Sequence, residues 1–256
     1  MIDLSSKVAI ITGGASGIGR ATATLLHTLG ARVAVVDRDV VGGQWVCSQM
    51  LSDLDRSKFF EADAADEREI SLCVERVLDH FGPPDILVNA AATYIMEGVE
   101  ASRERWLESF SANTIAYALW TRKMVEVLPQ GRRAAVVNVS SISAHIAQRR
   151  FATYSASKAA VGAMTRCFAL DLAPLIRVNS VAPGTIWSES NARFIKEHFG
   201  FDRAQADAHP EIGGRHVLGR CGEPEEVAYA IAFLCSDSAS FITGTEMLVD
   251  GGYLLQ

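Results

Sequence analysis

The sequence predicts an α/β fold: a doubly wound parallel sheet of about seven strands with helices on both faces. Three observations lead there. Seven short runs are rich in Val and Ile and almost continuously apolar, as strands covered on both faces must be. Amphipathic stretches separate them, and strand–helix alternation implies βαβ units. A glycine-rich turn joins the first apolar run to the first amphipathic one.

Taken in order, strands are predicted at 7–12, 32–36, 57–60, 85–88, 134–139, 176–181 and 247–249. Helices are predicted near 18–29, 40–53, 66–80, 102–128, 153–172 and 223–235. The first strand is carried by Val8-Ala9-Ile10-Ile11, and its helix opens directly from the glycines. The second strand, Arg32-Val33-Ala34-Val35-Val36, runs into Asp37. The stretches 102–128 and 153–172 are the long central helices. Residues 185–216 break the alternation, placing Trp187, Phe194, Phe199 and Phe201 among many charges. Such insertions commonly form binding loops or lids, and a solvated surface excursion is the plain alternative. No repeat, low-complexity tract or Pro/Gly/Ser linker divides the chain, so 1–256 is expected to be one domain with a lid at about 185–216.

Composition narrows the function. Of 256 residues, 49% are apolar and 21% charged, an ordinary globular balance that needs no disulfide or metal to fold. A net charge of −6 without a basic stripe argues against nucleic acid. The longest apolar run, 227–235, is about half of the ~20 residues a membrane span needs. Asp3 and Lys7 interrupt any signal-peptide core. Cys47, Cys73, Cys167, Cys221 and Cys235 are odd in number and contain no C-x-x-C, which speaks against a disulfide framework or a zinc site. Apolar neighbours mark Cys73, Cys167 and Cys235 as small buried hydrophobes. A reducing cytoplasm and no bound metal are expected.

Chemistry enters at Thr12-Gly13-Gly14-Ala15-Ser16-Gly17-Ile18-Gly19-Arg20. Glycines let backbone turn sharply and approach a bulky anion, and the unpaired N–H groups of the next helix attract a pyrophosphate. The spacing differs from G-x-G-x-x-G; Gly13, Gly17 and Gly19 are the glycines that matter. Asp37 can accept hydrogen bonds from the adenosine ribose and would repel a 2′-phosphate, favouring NAD over NADP. It could instead cap the next helix, a role open to Asp39. Arg38 beside it could accept a 2′-phosphate.

The turn resembles the T-G-x-x-x-G-x-G element of the short-chain dehydrogenase/reductase family, and matching elements run from Lys7 to Gly252. Asp63-Ala64 resembles the adenine-contacting pair of that family. Asn89-Ala90-Ala91-Ala92 is similar to its N-N-A-G segment, with Ala90 for asparagine and Ala92 for glycine. Asn113 stands where the family has its catalytic asparagine. Asn138-Val139-Ser140-Ser141 resembles the strand end with the catalytic serine. Tyr154-Ser155-Ala156-Ser157-Lys158 is the single Y-x-x-x-K of the chain. Pro183-Gly184-Thr185-Ile186 resembles the segment that holds the nicotinamide carboxamide. Thr243-Gly244 and Asp250-Gly251-Gly252 resemble C-terminal motifs. The link Ala173-Pro174-Leu175-Ile176-Arg177 is shorter than is common.

The resemblance implies a Rossmann-type sheet, NAD as cofactor and hydride exchange with a small alcohol or ketone. Free tyrosine titrates near ~10 and is a poor base at neutral pH. An ammonium one helical turn away, at about 4 Å, is worth roughly 4 kcal/mol at an effective dielectric near 20, enough to bring the phenol toward the working pH. Tyr154 is therefore expected to move the substrate proton, and Lys158 to lower its pKa and hold the nicotinamide ribose. Ser141 would hydrogen-bond the substrate oxygen; it is preferred to Ser140 because it lies thirteen residues before Tyr154. Asn113 would support a water relay to Lys158, mark a helix kink, or both.

Tyr94, Met96, Ser143, His145, Gln148, Arg149, Arg150, Trp187, Glu189 and Asn191 are candidates for the substrate pocket, with Ser143, Gln148 and Trp187 foremost. The mixture suits an oxygen-rich substrate such as a sugar, sugar acid or polyol. Arg149 and Arg150 could pair with a carboxylate or be surface residues. His145 could be a pocket donor or an ordinary loop residue. His198, His209 and His216 are expected to face solvent. The rival substrate is a 3-oxoacyl thioester, and a rival of another class is a catalytically silent NAD sensor. The family commonly forms tetramers through its long central helices, here 102–128 and 153–172.

Overall fold

In the computed structural model, residues 2–51 and 55–256 are described. Strand β1 (Val8–Thr12) is buried at every position and lies inside the sheet. Its neighbours are β2 (Arg32–Asp37) and β4 (Ile86–Asn89); β3 (Ser57–Glu61), β5 (Ala134–Val139), β6 (Ile176–Pro183) and β7 (Glu246–Val249) complete it. The order is β3-β2-β1-β4-β5-β6-β7, and every pairing is parallel. All seven predicted strands are present within a few residues of their expected limits.

Alternation along each strand explains the unbroken apolar runs. Ala9, Ile11, Val33 and Val35 face one way, onto Ala23 and Leu26 of α1 (Gly17–Thr28) and Val227 and Ile231 of α9 (Pro224–Cys235). Val8, Ile10, Ala34 and Val36 face the other way, onto Val74 and Val77 of α3 (Glu67–Phe81) and onto Trp120 and Met124. A strand with two covered faces cannot show a polar alternate.

The helical expectations need refinement. Helix α2 (Val40–Trp45) is short and continues as a π-helical turn, Val46–Leu51; positions 52–53 of the predicted 40–53 helix lie outside the described residues. The predicted 102–128 helix is α4 (Arg103–Phe110) and α5 (Ala116–Val127) joined by a π-helical turn, Ser111–Ile115. Asn113 sits in that turn, so the helix irregularity anticipated at this residue is present. Helix α6 (Ala152–Leu172) covers 153–172. The 185–216 insertion is more ordered than an irregular loop. It holds α7 (Glu189–Phe199), α8 (Arg203–Ala208) and a 3-10 turn, Gly213–Arg215. Ile195, Ala206, Ile212 and Cys221 give it a small core of its own, against which Trp187, Phe194 and Phe201 pack.

Four cysteines are buried, but Cys167 is exposed, contrary to expectation: it lies on the solvent side of α6. Among the described residues, no helix is long and apolar enough to cross a membrane.

Candidate active site

The sheet order reverses between β1 and β4, where doubly wound folds open a crevice at the strand ends. A cavity of about 610 Å³ lies there. The glycine turn forms one side. Gly13 has φ +67°, and a Cβ on it would stand 2.8 Å from the Ala91 backbone. A Cβ on Gly19 would stand 2.1 Å from the Gly13 carbonyl oxygen. The turn thus packs at a distance only glycine permits. The Thr12 hydroxyl accepts N–H groups from Ala90 (3.1 Å) and Ala91 (3.2 Å), tying the turn to the next loop. Gly13, Ser16, Gly17, Ile18 and Gly19 all line the cavity. Ser16 precedes α1 in extended conformation and makes no side-chain cap.

Asp37 ends β2 on the cavity wall. Its carboxylate accepts the Ala15 N–H at 3.1 Å, bracing the glycine turn. Asp39, not Asp37, caps α2 by accepting the Gly42 N–H at 3.0 Å. Arg38, Asp63 and Ala64 line the same end of the cavity. Asn89 is fully buried and stands behind the wall, which Ala90, Ala91 and Ala92 form. Its amide donates to Asn138 Oδ1 at 2.8 Å, and Asn138 donates to Thr165 at 3.0 Å, so it supports the loop from beneath.

On the cavity wall, α6 presents Tyr154 and Lys158 one turn apart. Lys158 is almost fully buried; its ammonium donates to the Val139 carbonyl (2.8 Å) and the Tyr117 hydroxyl (3.3 Å) and lies 5.9 Å from the Tyr154 ring centre. Ser141 begins a short turn, Ile142–Ala144, and its oxygen accepts the Ser143 N–H at 3.1 Å, leaving its proton free to donate. The Ser140 hydroxyl instead donates to the Lys158 carbonyl at 3.2 Å, which favours Ser141 as the substrate contact. Asn113 is fully buried behind the cavity. It accepts the Thr93 N–H (2.8 Å) and donates to Thr93 O (3.0 Å) and Ser157 Oγ (3.1 Å), so its side chain clamps the 90–96 loop.

The electrostatics depart from the expectation that Lys158 depresses the Tyr154 pKa. Burial raises the phenol well above its ordinary value, the neighbouring Tyr94 adds to this, and a hydrogen bond with Ser141 opposes it. Burial also pulls Lys158 down to about 7. Desolvation disfavours both charged forms, and among the described residues the ammonium is bound to neutral acceptors without a carboxylate.

On the substrate side, Tyr94 stacks on Tyr154 with ring centres 5.4 Å apart. Ser143 donates to Gln148 Oε1 at 2.9 Å, and both line the cavity with Met96 and Asn191. Trp187 does not line it: the chain is extended there, so Ile186 and Ser188 face the cavity while Trp187 packs with the insertion's core under Arg203. His145 pairs with Glu246 (2.6 Å) and Arg150 with Glu100 (3.4 Å), both away from the wall; Arg149 is exposed. Glu189 accepts the Gly17 N–H at 3.2 Å and pairs with Arg20. Pro183, Gly184, Thr185 and Ile186 all line the cavity. His198 is exposed and His209 half-buried against Phe201. His216 is 3% exposed, not solvent-facing, because the Gly213–Arg215 turn folds it under Thr185. Phe151, Phe194 and Tyr253 also line the cavity and were not among the candidates; for Tyr253 the signal was the Gly251-Gly252 pair, whose positive φ values turn the C-terminus back.

Known proteins resemble this chain along almost its whole length. The family model described as enoyl-(acyl carrier protein) reductase matches residues 13–254. A cyclopentanol dehydrogenase from Comamonas sp. is 35% identical over 252 residues, covering 98% of each chain. A cis-4-hydroxycyclohexanecarboxylate dehydrogenase from Sinomonas cyclohexanicum is 36% identical over 253 residues, covering 97% of each. The crystal structure of a glucose/ribitol dehydrogenase of the short-chain type from Brucella melitensis superposes with a TM-score of 0.88 at 30% identity, covering 98% of each. With a matching family model, relatives of this identity and coverage, and the same seven-stranded sheet, the chain belongs to the short-chain dehydrogenase/reductase family.

Proposed function

We propose that this protein is an NAD(H)-dependent oxidoreductase that interconverts a small secondary alcohol and its ketone. The observation that carries the reading is convergence: Ser141, Tyr154 and Lys158 share one cavity with the glycine turn and Asp37. The cradle fits a dinucleotide. The glycine positions are those a Cβ would close, and the first turn of α1 opens onto the cavity. Gly13, Ser16, Gly17, Ile18 and Gly19 would hold the pyrophosphate, Asp37 the adenosine ribose, and Asp63 and Ala64 the adenine. Asn89 would support the loop beside the nicotinamide, and Pro183, Gly184, Thr185 and Ile186 would hold the carboxamide. A bound nicotinamide supplies the hydride acceptor or donor. Tyr154 moves the proton at the substrate oxygen, Ser141 hydrogen-bonds that oxygen, Lys158 holds the ribose and supports the Tyr154 phenolate, and Asn113 positions the adjoining loop. The positive charge of an oxidised nicotinamide would favour the phenolate that burial disfavours.

The relatives named for cyclopentanol and hydroxycyclohexanecarboxylate support a compact alcohol. So does the wall, where Tyr94, Met96, Phe151 and Phe194 lie beside the hydrogen-bonded Ser143–Gln148 pair and Asn191. That wall fits a small ring carrying a second oxygen, and Ser190, Asn191 and Glu211 on the same cavity leave room for a polyol. Residues 185–216 would act as the lid, since Ser188, Asn191, Phe194 and Ile195 face the cavity. The reading includes a homotetramer in a reducing cytoplasm, in keeping with five free thiols.

The second reading is reduction of a 3-oxoacyl thioester, a ketone carried on the class of thioester that the family model's description names. One experiment separates the two: cyclopentanol, cis-4-hydroxycyclohexanecarboxylate and ribitol oxidised with NAD+ or NADP+, beside a 3-oxoacyl thioester with NADH or NADPH. NAD+-dependent oxidation of a ring alcohol is expected, and Tyr154→Phe should lower turnover by at least about a hundredfold with NADH binding intact. Preference for NADPH and the thioester would select the second reading and point to Arg38. Binding of NADH with no turnover of any alcohol or ketone would reduce the protein to a sensor.

A further inference from the structure

His216 lies outside the catalytic group, yet both ring nitrogens are engaged. Nε2 accepts the Thr185 N–H at 3.1 Å, while Nδ1 lies 3.0 Å from the Ile212 carbonyl and 3.2 Å from that of Gly213. One nitrogen receives a donor and the other faces two acceptors, so the network assigns a neutral ring with its proton on Nδ1. The Tyr253 ring packs edge-on at 5.1 Å. Approach to Thr185 depends on glycine, because a Cβ on Gly184 would stand 2.7 Å from Nε2. The ring therefore touches three separate segments, and Thr185, Ile212 and Tyr253 each contribute to the cavity wall.

We propose that His216 is a positioning residue for the cofactor: by accepting the Thr185 N–H it sets the 183–186 backbone against the nicotinamide end of the dinucleotide. The inference rests on the reading of that segment given under the proposed function. The same ring fastens the backbone to the last turn of the insertion and to the C-terminal segment, so the three walls hold a common register.

Two substitutions separate this role from simple packing. His216→Asn keeps a donor near the Nδ1 position for Ile212 and Gly213 but has no acceptor that reaches Thr185. His216→Gln reaches Thr185 with Oε1 and gives up the Nδ1 bonds. NADH dissociation constants from fluorescence titration are compared with melting temperatures of the same preparations. His216→Asn should raise the Kd roughly three- to tenfold, the worth of one hydrogen bond, while His216→Gln stays within about twofold of wild type, whichever variant melts lower. Unchanged affinity in His216→Asn, or affinity that follows melting temperature, overturns the inference alone. Failure of the wild type to bind NADH overturns the cofactor reading and the inference with it. A variant-free check guards against misfolding: nitrogen NMR of the unmodified chain must find the His216 proton on Nδ1, and the opposite tautomer overturns the proposal.

Discussion

Lys158 is almost fully buried with only neutral oxygens around its ammonium, and that single fact makes its charge expensive. Its pKa falls from 10.5 to about 7. Between those two values the unfolded chain binds more protons than the folded one, so stability rises with pH across the interval. Below about 7 the whole burial penalty is present, and above 10.5 it is gone. Lys158→Met should therefore melt above wild type by its widest margin near about pH 6, with the margin shrinking toward about pH 9.5. Calorimetry of both proteins at the two pH values checks this; a margin that stays constant or grows with pH would show that the amine keeps its charge in the folded chain. The same substitution removes the group proposed to hold the ribose, so greater stability should come with weaker NADH binding. Residues held at a cost in stability are what a working site predicts.

At the scale of elements, the tightest joint is that between the glycine turn and α1. A Cβ on Gly19 would meet the Gly13 carbonyl oxygen at 2.1 Å and its carbon at 2.6 Å, both backbone atoms that cannot rotate away. Gly19→Ala must lift α1 off the turn, at a cost of about 1–3 kcal/mol, and open the cradle. The expected outcome is a melting temperature lower by several degrees and loss of NADH binding. Gly162 in α6 is the control: a Cβ there meets nothing nearer than 3.5 Å, so Gly162→Ala should melt at or above wild type. Equal melting of the two variants would mean the turn is looser than described. These elements also show what was legible beforehand. Strands buried on both faces advertise themselves as unbroken Val and Ile runs, and Tyr154 and Lys158 were readable because one helical turn has a fixed spacing. Trp187 misled because an extended segment sends alternate residues to opposite sides, and the register cannot be known until Ile186 is placed. His216 was missed because its burial depends on a turn of Gly213, Gly214 and Arg215 folding beneath a segment thirty residues away, and a polar local sequence carries no trace of that. For the Tyr154–Lys158 electrostatics spacing reveals proximity, whereas the size of the desolvation that opposes it depends on everything packed around the pair.

At the scale of the whole molecule, the outer faces of α4, α5 and α6 remain to be accounted for. Leu107 and Ile115 are about half exposed, Val125 somewhat less and Leu170 largely exposed, all on or between the long helices α4, α5 and α6. One exposed leucine is ordinary, but apolar side chains recurring along the same pair of long helices suit burial against another copy. If the helices pair in this way, the protein should run in solution with the mass of four chains. The substitutions that test it need little correction for folding, because a charge at a half-exposed or exposed helix position usually costs the isolated chain no more than about 0.5 kcal/mol. Leu107→Asp and Leu170→Asp should thus leave far-ultraviolet circular dichroism unchanged while lowering the mass found by light scattering, since an unpaired carboxylate buried between subunits costs several kcal/mol. Activity offers an independent reading. Ser109 Oγ on α4 donates to the Thr153 carbonyl at 3.1 Å, and Asn113 in the adjoining turn holds the 90–96 loop, so the helices proposed to pair also buttress Tyr154 and the cavity wall. Dissociation should then raise KM for the alcohol more than it lowers kcat. A wild-type chain that is monomeric at micromolar concentration and fully active would end the tetramer proposal, and would leave those four apolar side chains without a partner of this chain's own kind.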